Sequence, residues 1–240
     1  MGRASNLVRM SKHIAIIGGT SGIGRATVDL LKSKGYILHI ACRSPEKLAD
    51  LGISSQAFDA AAPGSLVWPE KLDGLVYFPG TIQLKPFHRL TPEDFQKDFQ
   101  VNLLGAVAAL QSALPALKAS GNASVILFST VAVAQGMPMH ASIASAKGAI
   151  EGLTRSLAAE WAPVIRVNAI APSLTDTPLA AALLNSDLKK EASAKRHPLQ
   201  RIGSPEEFSE IVDFLLSDAS RFMSGQIIHV DGGLSSLKLF

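Results

Sequence analysis

The sequence predicts a single α/β domain, a doubly wound parallel sheet with helices on both faces. Three observations carry that expectation. Short apolar runs of strand length alternate with helix-length stretches along nearly the whole chain. A glycine-rich turn, Gly18-Gly19-Thr20-Ser21-Gly22-Ile23-Gly24, follows the first apolar run and opens the first helical stretch. The 240 residues, 47% of them hydrophobic, are enough for one large, well-filled core.

The elements follow in order. Residues 13–17 form the first apolar strand, and residues 25–34 a helix closed by Gly35. Strands are expected at residues 36–41, 56–58 and 75–78, the last stopped by Pro79-Gly80. Thr91-Pro92-Glu93-Asp94 combines an N-cap, a proline at the first helical position and acids in the first turn. That helix is expected to run through Asn102 towards Leu117. Residues 124–128 read as a buried parallel strand, 141–160 as a long alanine-rich helix and 165–170 as a strand. Ser204-Pro205-Glu206-Glu207 repeats the cap-proline-acid start of a helix to about Leu216, and residues 226–230 form the last strand. There is no internal repeat or linker, so residues 13–240 read as one domain. Residues 1–12, with two arginines and no apolar run, read as a flexible leader and not a signal peptide.

Composition narrows the function classes. A formal net charge of +3, a pI near 9.0 and the lack of a long basic run argue against a nucleic-acid partner but suit a small anionic ligand. The single cysteine, Cys42, rules out an intrachain disulfide and fits a reducing, cytoplasmic setting. No apolar run in the sequence reaches the roughly 20 residues of a membrane span, so no membrane partner is expected.

The glycine turn is the strongest chemical signal. Its first glycine permits a sharp turn, and the later ones let the backbone approach a pyrophosphate and the helix pack close to the strand. The helix N-terminus then offers free N–H groups and a positive dipole end to phosphates. Gly18-xxx-Gly22-x-Gly24 resembles the cofactor fingerprint of the short-chain dehydrogenase/reductase family. The resemblance continues through Arg166-Val167-Asn168-Ala169-Ile170-Ala171-Pro172, Arg201-Ile202-Gly203-Ser204-Pro205-Glu206-Glu207, and Val230-Asp231-Gly232-Gly233, covering nearly all of residues 13–233. It implies a seven-stranded Rossmann-type sheet, a nicotinamide dinucleotide cofactor, and assembly as a homotetramer or homodimer. The small residues Ala144, Gly148, Gly152 and Ala158 suit close helix approach in such an assembly.

The resemblance also distributes roles. Thr20, Ser21 and Ile23 join the three glycines at the phosphates, and Asp59 matches an adenine-contacting acid. Gly80, Pro172 and Thr175 are implied as cofactor-binding residues, and Thr177 matches the threonine that contacts the carboxamide. In an NAD-preferring domain an acid ends the second strand. Here Cys42 stands there and Arg43 follows, so NADP(H) is favoured over NAD(H): no carboxylate repels a 2′-phosphate, and a guanidinium can hold one. The stretch 59–75, with Pro63, Gly64 and Pro69, is expected as a loop where relatives carry a helix.

The family's catalytic tetrad is Asn, Ser, Tyr and Lys. Asn102 and Lys147 match the first and last, and Thr130 keeps a hydroxyl at the serine's place. The tyrosine's place, four residues before Lys147, holds Ile143, which can neither donate a proton nor be activated by a lysine. The only tyrosines are Tyr36, at the far end of the first helix, and Tyr77, read as packing. His140 lies seven residues before Lys147, about 10 Å along a helix on a shared face. That spacing resembles the enoyl-reductase branch, with histidine in the tyrosine's place. Histidine is the commonest general acid. No role is assigned to His88 or His197. The expectation is hydride transfer to an activated C=C or C=O of a small apolar substrate, with His140 or water as proton source. The alternative is a dinucleotide-binding sensor or assembly subunit without turnover. Residues 179–197 are expected as a helical, apolar cover over the substrate.

Overall fold

The computed structural model describes residues 11–238. The expected leader therefore lies outside the described residues except for Ser11 and Lys12. Lys12 belongs to the fold: its Nζ donates to the Leu216 carbonyl at 3.0 Å and to Asp218 at 2.9 Å.

Seven strands form one parallel sheet: β1 (His13–Ile17), β2 (Ile37–Cys42), β3 (Ser54–Ala57), β4 (Gly74–Tyr77), β5 (Ala123–Phe128), β6 (Ile165–Pro172) and β7 (Ile227–Val230), in the order β3-β2-β1-β4-β5-β6-β7. Because side chains alternate along a strand, each strand feeds two cores. Ala15, Ile17, Leu75, Val125, Leu127, Val167 and Ala169 face one side, Ile14, Ile16, Ile40, Val76, Ile126 and Ile170 the other. This is why the strands read as unbroken apolar runs. The first side is covered by α3 (Gly105–Ser120) and α5 (Ala141–Trp161), the second by α1 (Gly22–Ser33) and α7 (Pro205–Leu216).

Most boundaries meet expectation, and two depart from it instructively. Helix α1 starts at Gly22, inside the glycine turn, so the turn and the first helical N–H groups are one structure. The helix expected from Thr91 is continuous from Pro92 to Ser120, as α2 (Pro92–Phe99) and α3, but passes through a π-helical turn at Gln100–Leu104. Its start is a capping box between Thr91 and Asp94. By length and hydropathy this helix could cross a membrane, contrary to the reading of the sequence alone. However, Ala106, Ala109, Leu110, Ala113 and Leu117 are packed on the sheet, so the apolar face is core.

Near the amino ends of β1 and β2, His13 and His39 stack with ring centroids 5.3 Å apart and Nδ1 of His13 3.0 Å from Nε2 of His39. A hydrogen bond between two ring nitrogens needs one of them unprotonated. Burial, and then the neighbouring His13, hold His39 below the ordinary imidazole value. A depressed imidazole binds fewer protons in the folded than in the unfolded state. The stability it allows is complete above the unfolded value, about 6.5, and drains away as pH falls through it. The urea midpoint should therefore drop between pH 7 and pH 5, and His39→Gln should flatten that slope. An unchanged slope in the variant would refute the assignment.

Candidate active site

After β1 the chain turns to β2 and β3 on one side, and from β4 onward it builds the other. The crevice at that reversal, outside the carboxyl ends of β1 and β4, is where ligands bind in sheets of this kind. The glycine turn, the segment 78–81 after β4, Ser129-Thr130 after β5, and residues 172–177 at the end of β6 all open onto this edge.

Gly18 and Gly19 have φ of +99° and +97°, the left-handed region that only glycine enters freely. A Cβ on Gly24 would lie 2.8 Å from the Gly19 nitrogen, so the helix sits directly on the turn. Ser21 occupies the N-cap of α1, yet its side chain makes no cap hydrogen bond and no acid stands in the first turn. The N–H groups there are left for an external anion. A Cβ on Gly22 would meet Thr177 at 3.2 Å, so the segment after β6 lies across the turn. Thr20, Ser21 and Ile23 complete this cradle, and its shape fits a dinucleotide pyrophosphate. Arg43, just past β2, is exposed and makes no ion pair among the described residues. Asp59 is exposed and accepts from the Ala61 amide at 2.9 Å. The stretch between them and β4 carries no helix after β3, as expected.

The second half of the site is a buried polar cluster. Lys147 on α5 donates to the Phe128 carbonyl at 2.8 Å. A point one methyl out from Gly80 would lie 3.2 Å from Asn102 Oδ1 and 3.4 Å from Lys147 Nζ, so the missing side chain of Gly80 keeps that space open. Asn102 Oδ1 is buried with no hydrogen-bond partner. Its Nδ2 donates at 2.8 Å both to Thr81 Oγ1 and to the carbonyl of Asp98. The second bond occupies the carbonyl one helical turn back, at the point where the helix widens into its π turn. The turn leaves the Val101 carbonyl to the Tyr77 hydroxyl, 2.6 Å away, which identifies Tyr77 as buried packing with its phenol pushed up by burial. Tyr36 is spent at the other end of the molecule, bonded to Asp213.

The remaining expected residues divide. Ile143, expected at the tyrosine's place, is buried. Thr130 accepts from the Ala132 amide at 3.3 Å, capping α4 (Val131–Ala134), and is half-buried. Pro172 ends β6. Thr175 is buried and its hydroxyl turns inward to the Ser173 carbonyl, leaving Thr177 as the threonine that faces the glycine turn. His140 precedes α5. Its Nδ1 lies 2.8 Å from the Pro138 carbonyl, which can only accept, so Nδ1 carries the proton. It lines a shallow open cavity with Phe87, Val133, Met137, Met139 and Ala144. The structure brings Gly80, Asn102 and Lys147 together, and no contact joins His140 to them.

The expected cover is two short pieces, a 3-10 turn at Pro178–Leu183 and α6 (Asp187–Ala194), because Ser186 caps a new helix by accepting from the Lys189 amide. His197, assigned no role from sequence, is buried. It binds the Ser193 carbonyl through Nδ1 and Ser173 Oγ, 2.7 Å away, through Nε2, tying the cover to the end of β6. Sequence reading also missed Asp98, which is fully buried and accepts from Thr81 and Ser142 hydroxyls at 2.6 Å each. An acid one turn before Asn102 was the available signal.

Comparison with known proteins agrees with this geometry. The family described as Enoyl-(Acyl carrier protein) reductase matches residues 54–235. A tropinone reductase homologue from Arabidopsis thaliana is 36% identical over 94% of this chain and 91% of its own length. Another from Datura stramonium is 35% identical over 91% and 90%. Among solved structures, a short-chain dehydrogenase/reductase from Brucella melitensis, titled glucose/ribitol dehydrogenase, superposes with a TM-score of 0.83 at 30% identity, covering 93% of this chain and 96% of that one.

Burial pulls Lys147 down from 10.5 to about 8, with Asp98 opposing. Below that value both folded and unfolded states carry the charge, and the folded state bears its burial cost, about 3 kcal/mol for a shift of this size. As pH rises from 8 towards 10.5 the folded lysine loses its proton first and stability increases. The parent's unfolding free energy should therefore rise by about 3 kcal/mol across that window, and Lys147→Met should lack that rise. Urea denaturation at several pH values measures this, and an equal rise in the variant would contradict it.

Proposed function

The chain belongs to the short-chain dehydrogenase/reductase family, and on that premise we propose that it is an NADP(H)-dependent oxidoreductase acting on an activated C=C or C=O of a small apolar substrate. The observation that carries this reading is the meeting of an open, uncapped α1 N-terminus with a buried lysine and an unpartnered asparagine oxygen along one edge of the sheet. When bound, the cofactor supplies a hydride. The protein's part is the rest. Gly18, Gly22, Gly24 and the α1 N–H groups hold the pyrophosphate, joined by Thr20, Ser21 and Ile23. Asp59 addresses the adenine, and Thr175, Thr177, Pro172 and Gly80 border the nicotinamide end. Lys147 holds ribose hydroxyls. Arg43, exposed just past β2 where no carboxylate stands to repel a 2′-phosphate, holds that phosphate.

Asn102 Oδ1 and Lys147 Nζ flank the space beside Gly80, which suits a water that relays a proton. Thr130 keeps a hydroxyl near the reacting carbon. His140 is the candidate ionisable donor at the rim. Because its Nδ1 proton is engaged, it donates only as an imidazolium, through Nε2. It follows Met139, whose φ of +68° is a left-handed conformation that a bulky residue rarely adopts and that marks functional segments. The names of the relatives span both chemistries, since an enoyl reductase acts on C=C while tropinone is a ketone. Loss of the phenol favours the conjugated C=C, which needs enolate stabilisation more than a fixed acid. The protein works as a homo-oligomer in a reducing, cytoplasmic setting.

One observation favours a second reading, a dinucleotide-binding sensor or assembly subunit without turnover: Ile143 is buried where the acid is expected, and His140 is bonded to the Pro138 carbonyl and not to the cluster. NADPH oxidation with a conjugated enone or enoyl thioester, set against the matching saturated ketone, separates the readings. Turnover with the unsaturated set is expected, with His140→Ala lowering it at least about tenfold. NADPH binding without turnover on either set would favour the sensor. Arg43→Ala should weaken NADPH binding by about 10- to 100-fold while sparing NADH, and equal losses for both would remove the 2′-phosphate assignment.

A further inference from the structure

Lys147 is buried, and its one hydrogen-bond partner among the described residues is a neutral carbonyl, that of Phe128. A buried ammonium without a nearby negative charge gives up its proton. The groups facing it can be named element by element. The end of β5 offers the Phe128 carbonyl, α4 has no ionisable residue, and the segment after β4 offers Gly80 and Thr81. The π turn offers Asn102. On its own helix the next acid is Glu151, engaged by Ser129 Oγ at 2.8 Å and by Arg155. That leaves Asp98 on α2, fully buried, whose charge acts to keep Lys147 protonated.

Asp98 is itself supplied with donors. The Thr81 hydroxyl donates to Oδ1 and the Ser142 hydroxyl to Oδ2, each at 2.6 Å. The two donors come from opposite sides: Thr81 follows β4, beside the crevice, and Ser142 lies in the first turn of α5, next to Ile143. Asn102 closes the ring by donating to Thr81 Oγ1. We infer that Asp98 is a positioning residue of the site: the buried counter-charge that keeps Lys147 an ammonium and joins α2, the segment after β4 and α5 around the open space beside Gly80. This rests on the reading of Lys147 as the residue that holds cofactor hydroxyls, but its test does not need turnover.

The test follows Lys147 by NMR of the full chain labelled with 13Cε-lysine, the signal assigned by its loss in Lys147→Met. Asp98→Asn keeps the size of the side chain and removes the charge. Its Lys147 titration midpoint should fall by about one pH unit or more, and NADPH affinity should weaken more at pH 8 than at pH 6. A midpoint equal to the parent's overturns the inference. If Asp98→Asn does not fold, the parent protein labelled with 13C-aspartate decides. The Asp98 carboxyl carbon should show an inflection at the pH where Lys147 titrates, absent in Lys147→Met, and a flat Asp98 signal through that range overturns it. A failed charge coupling with intact NADPH binding sinks the Asp98 role alone, whereas a parent protein that does not bind NADPH sinks the cofactor reading.

Discussion

The ammonium of Lys147, placed behind the sheet edge and away from water, is the constraint around which the site is arranged. A buried cation must be compensated, and the chain provides a carbonyl dipole from the end of β5 and a carboxylate from α2. That carboxylate in turn needs donors, which come as hydroxyls from Thr81 and Ser142. Each requirement recruits the next element, so α2, α5 and the segment after β4 are positioned by polar demands that an all-apolar core would not impose.

The cofactor cradle depends on a different economy, that of absent side chains. Left-handed glycines shape the turn, the close seat of Gly24 on Gly19 brings the helix N-terminus forward, and bare Gly80 leaves room between Asn102 and Lys147. The uncapped N-terminus of α1, with no acid in its first turn, puts a positive dipole end at one side of the crevice. That polarity is appropriate to a phosphate-bearing ligand laid across the topological switch.

Much of this was legible in the sequence because it is local. The strand at residues 13–17, the helix starts at Thr91 and Ser204, and the glycine turn each rest on a few neighbouring residues with fixed stereochemical meaning. The absent helix after Asp59 was legible from its prolines and glycine. The π turn was not, because it arises when an asparagine side chain takes a backbone carbonyl, a competition that apolar periodicity does not register. The break at Ser186 was hidden by a run of good helix formers. Asp98 and His197 carry no local signal of their roles. Their burial and partners depend on contacts 17 to 44 residues away for Asp98, and on Ser173, 24 residues away, for His197. Conversely, the shared face proposed for His140 and Lys147 follows from helical spacing alone, while the structure turns His140 towards a neighbouring cavity.

The long helix from Pro92 to Ser120 has a consequence during biosynthesis. As it leaves the ribosome, before β4 and β5 have a sheet to join, it is an apolar segment of membrane-spanning length with no partner. A translocon tests such segments by free energy, and charged side chains weigh against insertion most at the centre of a span and least at its ends. Glu93, Asp94, Lys97 and Asp98 crowd the amino-terminal third of this helix. Because those charges lie at one end they weigh little against insertion, and it is the sheet, by covering Ala106, Ala109, Leu110, Ala113 and Leu117, that gives the apolar remainder a partner in water.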